Sequence, residues 1–574
     1  MDENVKKFRI IRNVIAVVFV IIILTSIRLQ IIEGKKYYRL SEKNRIRQKY
    51  NPAPRGIVFD RNGIEIANTR PGFYVSAIQS IIDENTLNEI TEILDIDEEM
   101  VREKFRLEEN PFMPVKIAHD IPYKQLSIIE EKMDVLKGIE VGVEPLRNYP
   151  YGEVLCHVLG YVGEITNREL QRNIDYSIND YIGRMGLEES YENHLRGVDG
   201  IEYVEIDARG REVGKITEKR PTSIINGKDI YTTIDCALSE SVAVYLGKYR
   251  KAACVCLDPR NGEIFVLYSK PGFDPNLFVH GLRKEEWQIL NTTPEAPMYN
   301  RATMSCYPAG STFKPFVALA ALDSKMITEE TCFAPCRGKY RLGRRIFKCW
   351  KAHGKRNLIG AIVHSCDIYF YQLGRFIGID TMVSIAREVG FGKKTEIDIP
   401  NEKGGLLPDR KWFENRYGDN WTEGHVFNFS IGQGDLLVTP LQLACAFTVF
   451  ANDGKICVPH IVKKEKHDYH TTAISKEAIA TVKEALGEVV SSGTGTLARV
   501  KDYVVCGKTG TAQNPHGEDH SLFVGFAPID NPRVLVCVFV ENAGHGGSVA
   551  APIAGKILKY WLNKNYTEQH AQKN

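Results

Sequence analysis

The stretch YPAGSTFKPF, residues 307–316, contains the first of three motifs in the C-terminal half of this 574-residue chain. Pro308 and Gly310 end one segment and an apolar run follows, which predicts that Ser311 lies at the beginning of a helix. Such a helix would place Ser311 and Lys314 on one face, within reach of a hydrogen bond. A serine hydroxyl is a poor nucleophile without an adjacent base. Taken alone, the pair is better explained as a helix N-cap serine and a surface lysine.

Two motifs further along the chain change that interpretation. SCD at residues 365–367 lies within an apolar stretch, and KTGT at residues 508–511 ends a strand-like segment. The hydroxyl of Ser365 could pass a proton between Lys314 and a leaving amine. A cationic Lys508 could hold a substrate carboxylate. The same motif supplies two hydroxyls and a glycine that lets the backbone approach closely, namely Thr509, Thr511 and Gly510.

The order of the three motifs is typical of serine acyl-enzymes that handle acyl-D-alanyl-D-alanine and β-lactams. In such a site the backbone N–H groups of Ser311 and Thr511 would form the oxyanion hole. The joint occurrence of the motifs, in this order and in fitting contexts, indicates a nucleophilic serine at position 311.

With these motifs the chain resembles the class B penicillin-binding proteins, which are monofunctional D,D-transpeptidases of cell-wall synthesis. Three N-terminal motifs extend the resemblance over nearly the whole length: RGIVFDRNG at 55–63, RNYP at 147–150 and GRMGLEESY at 183–191. We expect these three to be structural, with buried Arg–Asp and Arg–Glu pairs and tightly packed glycines. The stretch GQG at 432–434 is similar to the family as well, again as part of the scaffold.

Asp367 stands where many members of the family have asparagine. An ionised aspartate only accepts hydrogen bonds, whereas asparagine also donates them. If Asp367 pairs with Lys314, it favours the ammonium form and opposes a role for that lysine as general base. Elongation-type members resemble this chain in having aspartate at this position, so the resemblance indicates that subgroup.

The resemblance implies two successive acyl transfers. Ser311 would attack the carbonyl between the last two D-alanines of a stem peptide, and the amine of a neighbouring stem peptide would then attack the ester. β-Lactams would acylate the same serine. A β-lactamase is one alternative, although no E-x-x-L-N motif follows Asp367. A non-catalytic penicillin-binding receptor or scaffold is the other.

The hydrophobic patterns predict an α+β fold for the C-terminal domain. AACVCLDP with GEIFVLYS, and HSLFVGFAP with RVLVCVFVEN, read as two strand hairpins with helices between them. This is the serine β-lactamase-like arrangement of an antiparallel sheet packed with helices that the resemblance implies. We place a short tail at 1–13, a transmembrane signal anchor at 14–32, an elongated dimerisation-like pedestal at 33–229 with a helical insert near 75–140, a transpeptidase domain at 230–565 and a polar tail at 566–574.

Several local patterns predict individual elements. Apolar residues three and four apart indicate helices between residues 83 and 138, and residues 188–195 read as one short helix. Thr439 and Gln442 fit a capping box at the beginning of another helix. The polar stretch after Trp561 is expected to fray.

Residues 14–27 contain no charged residue and predict a membrane anchor. A spanning helix needs about 20 apolar residues, and Leu29, Ile31 and Ile32 extend the run if the flanking arginines snorkel. No A-x-A-like cleavage site follows, which favours an uncleaved anchor over a cleaved signal. Basic residues on both sides balance each other, so charge does not decide the topology. The resemblance implies a single-pass protein of the cell membrane whose catalytic domain is extracytoplasmic.

Four residues near the motifs form a candidate metal site. Cys336, Cys349, His353 and Cys366 make a Cys3His set that suits tetrahedral Zn2+, if the fold brings these distant positions together. Cys332 competes with Cys336 for one position. A disulfide and inert buried thiols are the alternatives, and with 13 cysteines at least one is unpaired. Elongation-type relatives resemble this chain in carrying metal ligands at such positions, which favours a structural zinc that clamps the second motif.

The composition limits the classes of partner. Hydrophobic residues make up 43% and charged residues 25% of the chain, and the net charge is +2, which excludes a general nucleic-acid surface. The resemblance implies peptidoglycan stem peptides ending in D-Ala-D-Ala, β-lactams, the membrane and a polytopic glycan-polymerising glycosyltransferase of the SEDS type as partners. It implies that the chemistry itself requires no cofactor.

Overall fold

The computed structural model describes residues 2–37, 46–108, 110–172, 176, 180–207, 212–216, 220–282 and 284–571. The chain divides into two compact units. Unit 1 comprises Met1–Arg55, Arg70–Leu146 and Arg196–Gly227. Unit 2 comprises Gly56–Thr69, Arg147–Leu195 and Lys228–Asn574. The domain boundaries that we placed at residues 33, 230 and 566 stay predictions.

Strands and helices are numbered in chain order. The strands are β1 (Ile46–Asn51), β2 (Val58–Phe59), β3 (Glu65–Ile78), β4 (Pro114–Ala118), β5 (Ile139–Asn148), β6 (Val162–Glu164), β7 (Tyr181–Gly183), β8 (Gly200–Ile206), β9 (Glu212–Lys215), β10 (Ile230–Tyr231), β11 (Ala252–Leu257), β12 (Ile264–Lys270), β13 (Lys339–Leu342), β14 (Arg345–Lys348), β15 (Lys455–Cys457), β16 (Tyr469–Thr471), β17 (Cys506–Ala512), β18 (His520–Ala527) and β19 (Val534–Val540). The helices are α1 (Asp2–Ile27), α2 (Glu84–Leu94), α3 (Glu98–Leu107), α4 (Tyr123–Glu131), α5 (Gly152–Leu159), α6 (Asn167–Leu170), α7 (Gly186–Ser190), α8 (Glu192–Leu195), α9 (Cys236–Leu246), α10 (Asn276–Val279), α11 (Lys284–Thr292), α12 (Lys314–Asp323), α13 (Leu358–Val363), α14 (Asp367–Glu388), α15 (Arg410–Tyr417), α16 (Glu423–Ser430), α17 (Pro440–Ala451), α18 (Lys476–Ser491) and α19 (Ala550–Ala571).

Helix α1 carries the predicted anchor. It continues as a π-helix over Arg28–Ile32, and the combined helix Val5–Ile32 has 28 residues and is long and apolar enough to cross a membrane. Its apolar side chains are exposed rather than packed against the protein. This helix fits a single-pass membrane anchor.

The rest of unit 1 combines helices with strands. Strands β1, β8 and β9 form an antiparallel sheet in that order. Helices α2 and α3 are each capped by an aspartate side chain at the N-terminus. The predicted helical insert is therefore only partly helical, because β4 lies inside it and pairs with β3. A five-residue strand is too short to show a decisive alternation in the sequence.

Unit 2 is built on an antiparallel sheet of strand order β12-β11-β19-β18-β17. Nearly every residue of these strands is buried, because helices cover the sheet and the alternation of exposed residues is lost. Helices α9 and α19 contribute Val242 and Trp561 to one core, and α17 packs against β11 and β19. The predicted α+β arrangement and both predicted hairpins are confirmed.

Three local predictions differ from the structure. The predicted helix at 188–195 is two short helices, α7 and α8, which meet at Tyr191. The side chain of Gln442 does not complete the capping box but donates to backbone carbonyls of residues 390, 393 and 404, although Thr439 does cap α17. The stretch after Trp561 continues α19 as far as Ala571.

Candidate active site

The serine turn, which we define as the 3-10 helix Gly310–Phe313, lies directly on strand β17 and leads into α12. Gly310 has a φ of +55°, and a Cβ on it would lie 2.6 Å from the carbonyl oxygen of Thr511. Its N–H donates to the carbonyl of Gly432 at 2.8 Å. Only glycine fits such a close approach at a positive φ, so this contact brings the half-buried Ser311 beside the KTGT strand.

Lys314 is fully buried, and its Nζ points toward the second motif. It donates to the carbonyl of Ser365 at 2.9 Å, to Ser365 Oγ at 3.1 Å and to Asp367 Oδ1 at 2.6 Å. In the described part of the chain, the side chains of Ser311 and Lys314 do not form the expected hydrogen bond. Three acceptors that include a carboxylate satisfy the ammonium group, and this is the pairing with Asp367 that the sequence left open.

Lys508 approaches Ser365 from the other side. Its Nζ donates to Ser365 Oγ at 3.0 Å and to the carbonyl of Thr509 at 3.1 Å. Complete burial, and then the positive charge of Lys314, lower the pKa of Lys508 well below its usual range, and Asp367 only partly opposes them. The hydroxyl of Ser365 therefore bridges two buried amines.

The second motif joins helices α13 and α14. Ser365 is 5% exposed and has a φ of +52°, which is uncommon for a residue with a side chain. Asp367 is the first residue of α14, where a carboxylate interacts favourably with the helix dipole. The ring of Phe370, one turn later, lies 5.6 Å from Lys314 Nζ.

The remaining KTGT residues line strand β17. Thr509 Oγ1 lies 2.8 Å from the hydroxyl of Thr494, and Thr511 Oγ1 accepts from the N–H of Gly546 at 3.4 Å. Gln433 donates to the carbonyl of Thr511 at 2.9 Å. Thr494 was not among the predicted site residues. It lies in the sequence SSGTGT, where no motif distinguishes it, and only the fold brings it to the site.

The four candidate metal ligands come together in unit 2. The ligand atoms of Cys336, Cys349, His353 and Cys366 all lie within 4.8 Å of one another. The Nδ1 atom of His353 lies 3.7 and 3.5 Å from the first two sulfurs. Two thiolates on one tetrahedral zinc are roughly 3.8 Å apart, so these residues fit a Zn2+ ion. The exposed Cys332 lies outside this group, and all thirteen cysteines are free thiols.

Comparison with protein families gives the chain its context. The family model described as "Penicillin binding protein transpeptidase domain" matches residues 252–559. The model described as "Penicillin-binding Protein dimerisation domain" matches residues 50–232.

The chain belongs to the penicillin-binding protein family.

Similar proteins indicate the subgroup of the family to which the chain belongs. The chain is 34% identical over 603 residues to the peptidoglycan D,D-transpeptidase MrdA of Acinetobacter baumannii, covering 98% of this chain and 88% of that one. It is 30% identical to MrdA of Escherichia coli K12 over 619 residues, covering 100% and 97%. A complex of the penicillin-binding protein PBP2 with MreC from Helicobacter pylori aligns with a TM-score of 0.81 and 27% identity, covering 91% and 100%. These relatives confirm the predicted elongation-type class B subgroup.

The N-terminal motifs of this penicillin-binding protein act within unit 2 as scaffold. Arg147 and Glu188 form a buried ion pair at 2.6 Å, and Arg147 also donates to the carbonyl of Gly56 at 2.7 Å. This is the Arg–Glu pair that the motifs predict. Asp60 instead accepts from the backbone N–H groups of Asn62 and Ile64, and among the described residues it forms no ion pair with an arginine.

Proposed function

We propose that this chain is a peptidoglycan D,D-transpeptidase that works through an acyl-enzyme on Ser311. The observation that carries the proposal is the hydroxyl of Ser365 held between Lys314 and Lys508, at 3.1 and 3.0 Å. This network lies in a domain that matches the transpeptidase family, and the turn bearing Ser311 packs on the strand that bears Lys508.

The first acyl transfer forms the covalent intermediate. Ser311 Oγ bonds to the carbonyl carbon of the penultimate D-alanine, and the bond from that carbon to the nitrogen of the terminal D-alanine breaks. The hydroxyl proton passes through the lysine–serine network to that nitrogen, so the terminal D-alanine departs as an amine. The N–H groups of Ser311 and Thr511 would stabilise the oxyanion.

The second transfer makes the cross-link. The amine of a neighbouring stem peptide attacks the ester carbon, the bond to Ser311 Oγ breaks, and a proton returns to that oxygen. Ser365 serves both steps, because its hydroxyl accepts from one amine while donating onward.

The two lysines have different environments. Lys314 donates to the carboxylate of Asp367, while burial favours the uncharged form of Lys508 in the substrate-free site. A substrate carboxylate entering beside Lys508 would supply the missing counter-charge and favour its ammonium form. Carboxylate binding and the protonation of Lys508 are therefore coupled, with Thr509, Gly510 and Thr511 completing the substrate strand.

Fluorescent penicillin tests the nucleophile directly. Ser311→Ala should abolish covalent labelling, because no oxygen remains to form the ester. Ser324→Ala, an exposed serine one helix away, should label like the wild type. Labelling that survives Ser311→Ala would overturn the central claim. Retained labelling of the wild type without cross-linking of stem peptides would favour a non-catalytic receptor, and rapid release of the label as hydrolysed drug would favour a β-lactamase.

We also propose a structural Zn2+ on Cys336, Cys349, His353 and Cys366. When bound, the ion would supply no reactive chemistry and would hold four protein ligands in a closed tetrahedral site. Its support is the convergence of three sulfurs and one imidazole that are distant in sequence. Since Cys366 adjoins Ser365, the ion would fix the second motif.

For the location, we propose a single-pass protein of the cell membrane with an extracytoplasmic catalytic domain. The support is the apolar helix Val5–Ile32, together with a substrate that is assembled outside the membrane. A polytopic glycan-polymerising glycosyltransferase of the SEDS type is the partner that would supply new glycan strands for cross-linking.

A further inference from the structure

A strongly basic hairpin lies between the first and second motifs. Residues 336–356, which we call the basic arm, contain nine lysines and arginines and no aspartate or glutamate. The whole chain has 74 basic and 72 acidic residues, so the remainder has a negative balance. The nine are Arg337, Lys339, Arg341, Arg344, Arg345, Lys348, Lys351, Lys355 and Arg356.

The inner face of the basic arm is held by aromatic packing. Tyr340 on β13 pairs across the hairpin with Phe347 on β14. Their ring centroids lie 5.8 and 4.9 Å from that of Phe427. The hydroxyl of Tyr371 donates to the carbonyl of Lys348 at 3.3 Å. The arm is therefore an ordered part of unit 2.

The outer face carries unbalanced positive charge. Lys339 lies directly opposite Lys348, and Arg341 opposite the exposed Ile346. Like charges directly opposite each other destabilise a strand pair, so folding alone does not account for this arrangement. In the described part of the chain none of the nine cations forms an ion pair with a carboxylate within 4.0 Å. Eight of the nine are exposed and available to an external anion, whereas Arg356 is half-buried and donates from Nε to the carbonyl of His353 at 3.0 Å.

The base of the basic arm is joined to the second motif. Cys336 and Gly354 exchange backbone hydrogen bonds of 2.8 and 3.0 Å, which close the base. Trp350 donates from Nε1 to the carbonyl of His364 at 3.2 Å, and His364 directly precedes Ser365. The indole is nevertheless 61% exposed. A polymer bound along the arm would therefore lead toward the catalytic residues.

We propose that the basic arm binds the peptidoglycan strand, with its cations on stem-peptide carboxylates and Trp350 against a sugar face. This inference rests on the proposed function and names how its polymeric substrate is held. Each exposed ion pair is weak, but a strand that repeats its carboxylates engages several at once. The arm would retain the acylated strand after the terminal D-alanine has left. Anionic lipid headgroups offer the same charge, but their binding would not explain why the arm begins beside Ser365.

Co-sedimentation of the full-length protein in detergent with purified peptidoglycan sacculi tests the proposal. The variant Lys339→Gln/Arg341→Gln/Lys348→Gln should weaken binding about tenfold, and added salt should weaken wild-type binding as well. The control Lys464→Gln/Lys466→Gln/Lys501→Gln removes the same charge from exposed lysines elsewhere and should bind like the wild type. Both variants should be acylated by penicillin within about twofold of the wild-type rate, because a small drug has no contact with the arm.

The outcomes separate this proposal from the proposed function. If the arm variant binds sacculi as well as the wild type does, the proposal that the arm binds peptidoglycan is wrong. It is also wrong if the control variant loses as much sacculus binding as the arm variant. A different result would assign the arm to the membrane instead: the arm variant binds peptidoglycan-free vesicles of anionic phospholipid more weakly than the wild type, while its sacculus binding is unchanged. Ser311→Ala should still bind sacculi although penicillin no longer acylates it. A wild-type protein that binds sacculi through the arm but is not acylated by penicillin would count against the proposed function and leave the proposal for the arm standing.

Discussion

Ser365 adopts a backbone conformation that costs free energy. A non-glycine residue at a φ of +52° stores on the order of 1–3 kcal/mol of strain. The conformation keeps its hydroxyl between the amines of Lys314 and Lys508, at 3.1 and 3.0 Å. Glycine at this position would relieve the backbone strain but would remove the oxygen that bridges the two amines. The bridge therefore requires a strained residue with a side chain.

We expect Ser365→Ala to slow acylation by penicillin by about 10²–10⁴-fold, the usual loss when a proton-transfer group is removed. Alanine keeps the Cβ of this residue, so we expect the backbone conformation to stay the same, and Ser311 remains present. The measurement is the second-order acylation rate with fluorescent penicillin, with Ser324→Ala as the control. A rate within threefold of wild type (roughly 0.7 kcal/mol) would show that Ser365 is not part of the proton path.

The buried Lys508 predicts a pH dependence of stability. Burial and the charge of Lys314 lower its pKa in the folded protein, whereas lysines of an unfolded chain have a pKa of about 10.4. Between these two pKa values the unfolded chain binds more protons, so this contribution to the free energy of unfolding rises with pH. The contribution of Lys508 to the free energy of unfolding is complete above the pKa of lysine in the unfolded chain. It is lost as pH falls through the pKa of Lys508 in the folded protein.

We therefore expect the stability of the wild type relative to Lys508→Met to increase as pH rises toward the unfolded lysine pKa. The methionine variant also lacks the two hydrogen bonds of Lys508, but this loss of stability is the same at every pH and does not affect how the stability difference changes with pH. Urea unfolding between neutral and mildly alkaline pH measures the difference, with Lys501→Met as an exposed control. A difference that does not change with pH would show that Lys508 is protonated throughout.

At the scale of elements, the active site depends on the contact between the serine turn and β17. We expect Gly310→Ala to destabilise the protein by about 2–4 kcal/mol, because the new Cβ combines a positive φ with a clash against the carbonyl of Thr511. Penicillin acylation should fall as the turn moves away from the strand. Thermal unfolding and labelling measure the two effects.

A matched glycine separates backbone strain from the clash. Gly343 has a φ of +57°, but a Cβ there meets no atom within 4 Å. Gly343→Ala should cost only about 1–2 kcal/mol and leave acylation unchanged. If the two variants lose the same stability, the close packing of the turn on β17 is not what positions Ser311.

The second prediction at the scale of secondary-structure elements concerns zinc binding by Cys336, Cys349, His353 and Cys366. Protein purified without chelator should contain about one zinc per chain, the stoichiometry of one closed four-ligand site. Chelation should lower the melting temperature, because the proposed ion would hold the loop after α12 to the segment before α14. Cys349→Ser should lose the metal, whereas Cys332→Ser, outside the group, should keep it. Well under one zinc in the wild type would contradict the site.

For the whole molecule, the prediction concerns topology. Cys332 is exposed, so in intact spheroplasts a membrane-impermeant maleimide should label it if unit 2 is extracytoplasmic. Cys332→Ser should remove most of this labelling, since most of the other cysteines are buried. Labelling that appears only after the membrane is permeabilised would place the catalytic domain in the cytoplasm and would contradict the proposed function.

Local patterns predicted most elements of unit 2 because the signals there are strong. The strands β11, β12, β18 and β19 are continuous apolar runs bounded by turn residues, and the helices have clear capping or proline signals. Strand β4 was missed because its stability comes from pairing with β3, which no local pattern reveals. The helical tail after Trp561 was missed because its composition is polar.

The sequence by itself determined the family, an N-terminal apolar helix that fits a membrane anchor, the fold class and the identity of the candidate nucleophile, since these depend on motifs and periodicities within short stretches of the chain. Only the tertiary structure decided which acceptor Lys314 uses, that Ser365 bridges two amines, that Cys336 rather than Cys332 joins the cluster, and that Thr494 reaches Thr509. The physical reason is that hydrogen bonds and ligand sets depend on distances between residues far apart in the chain, and folding alone sets these distances.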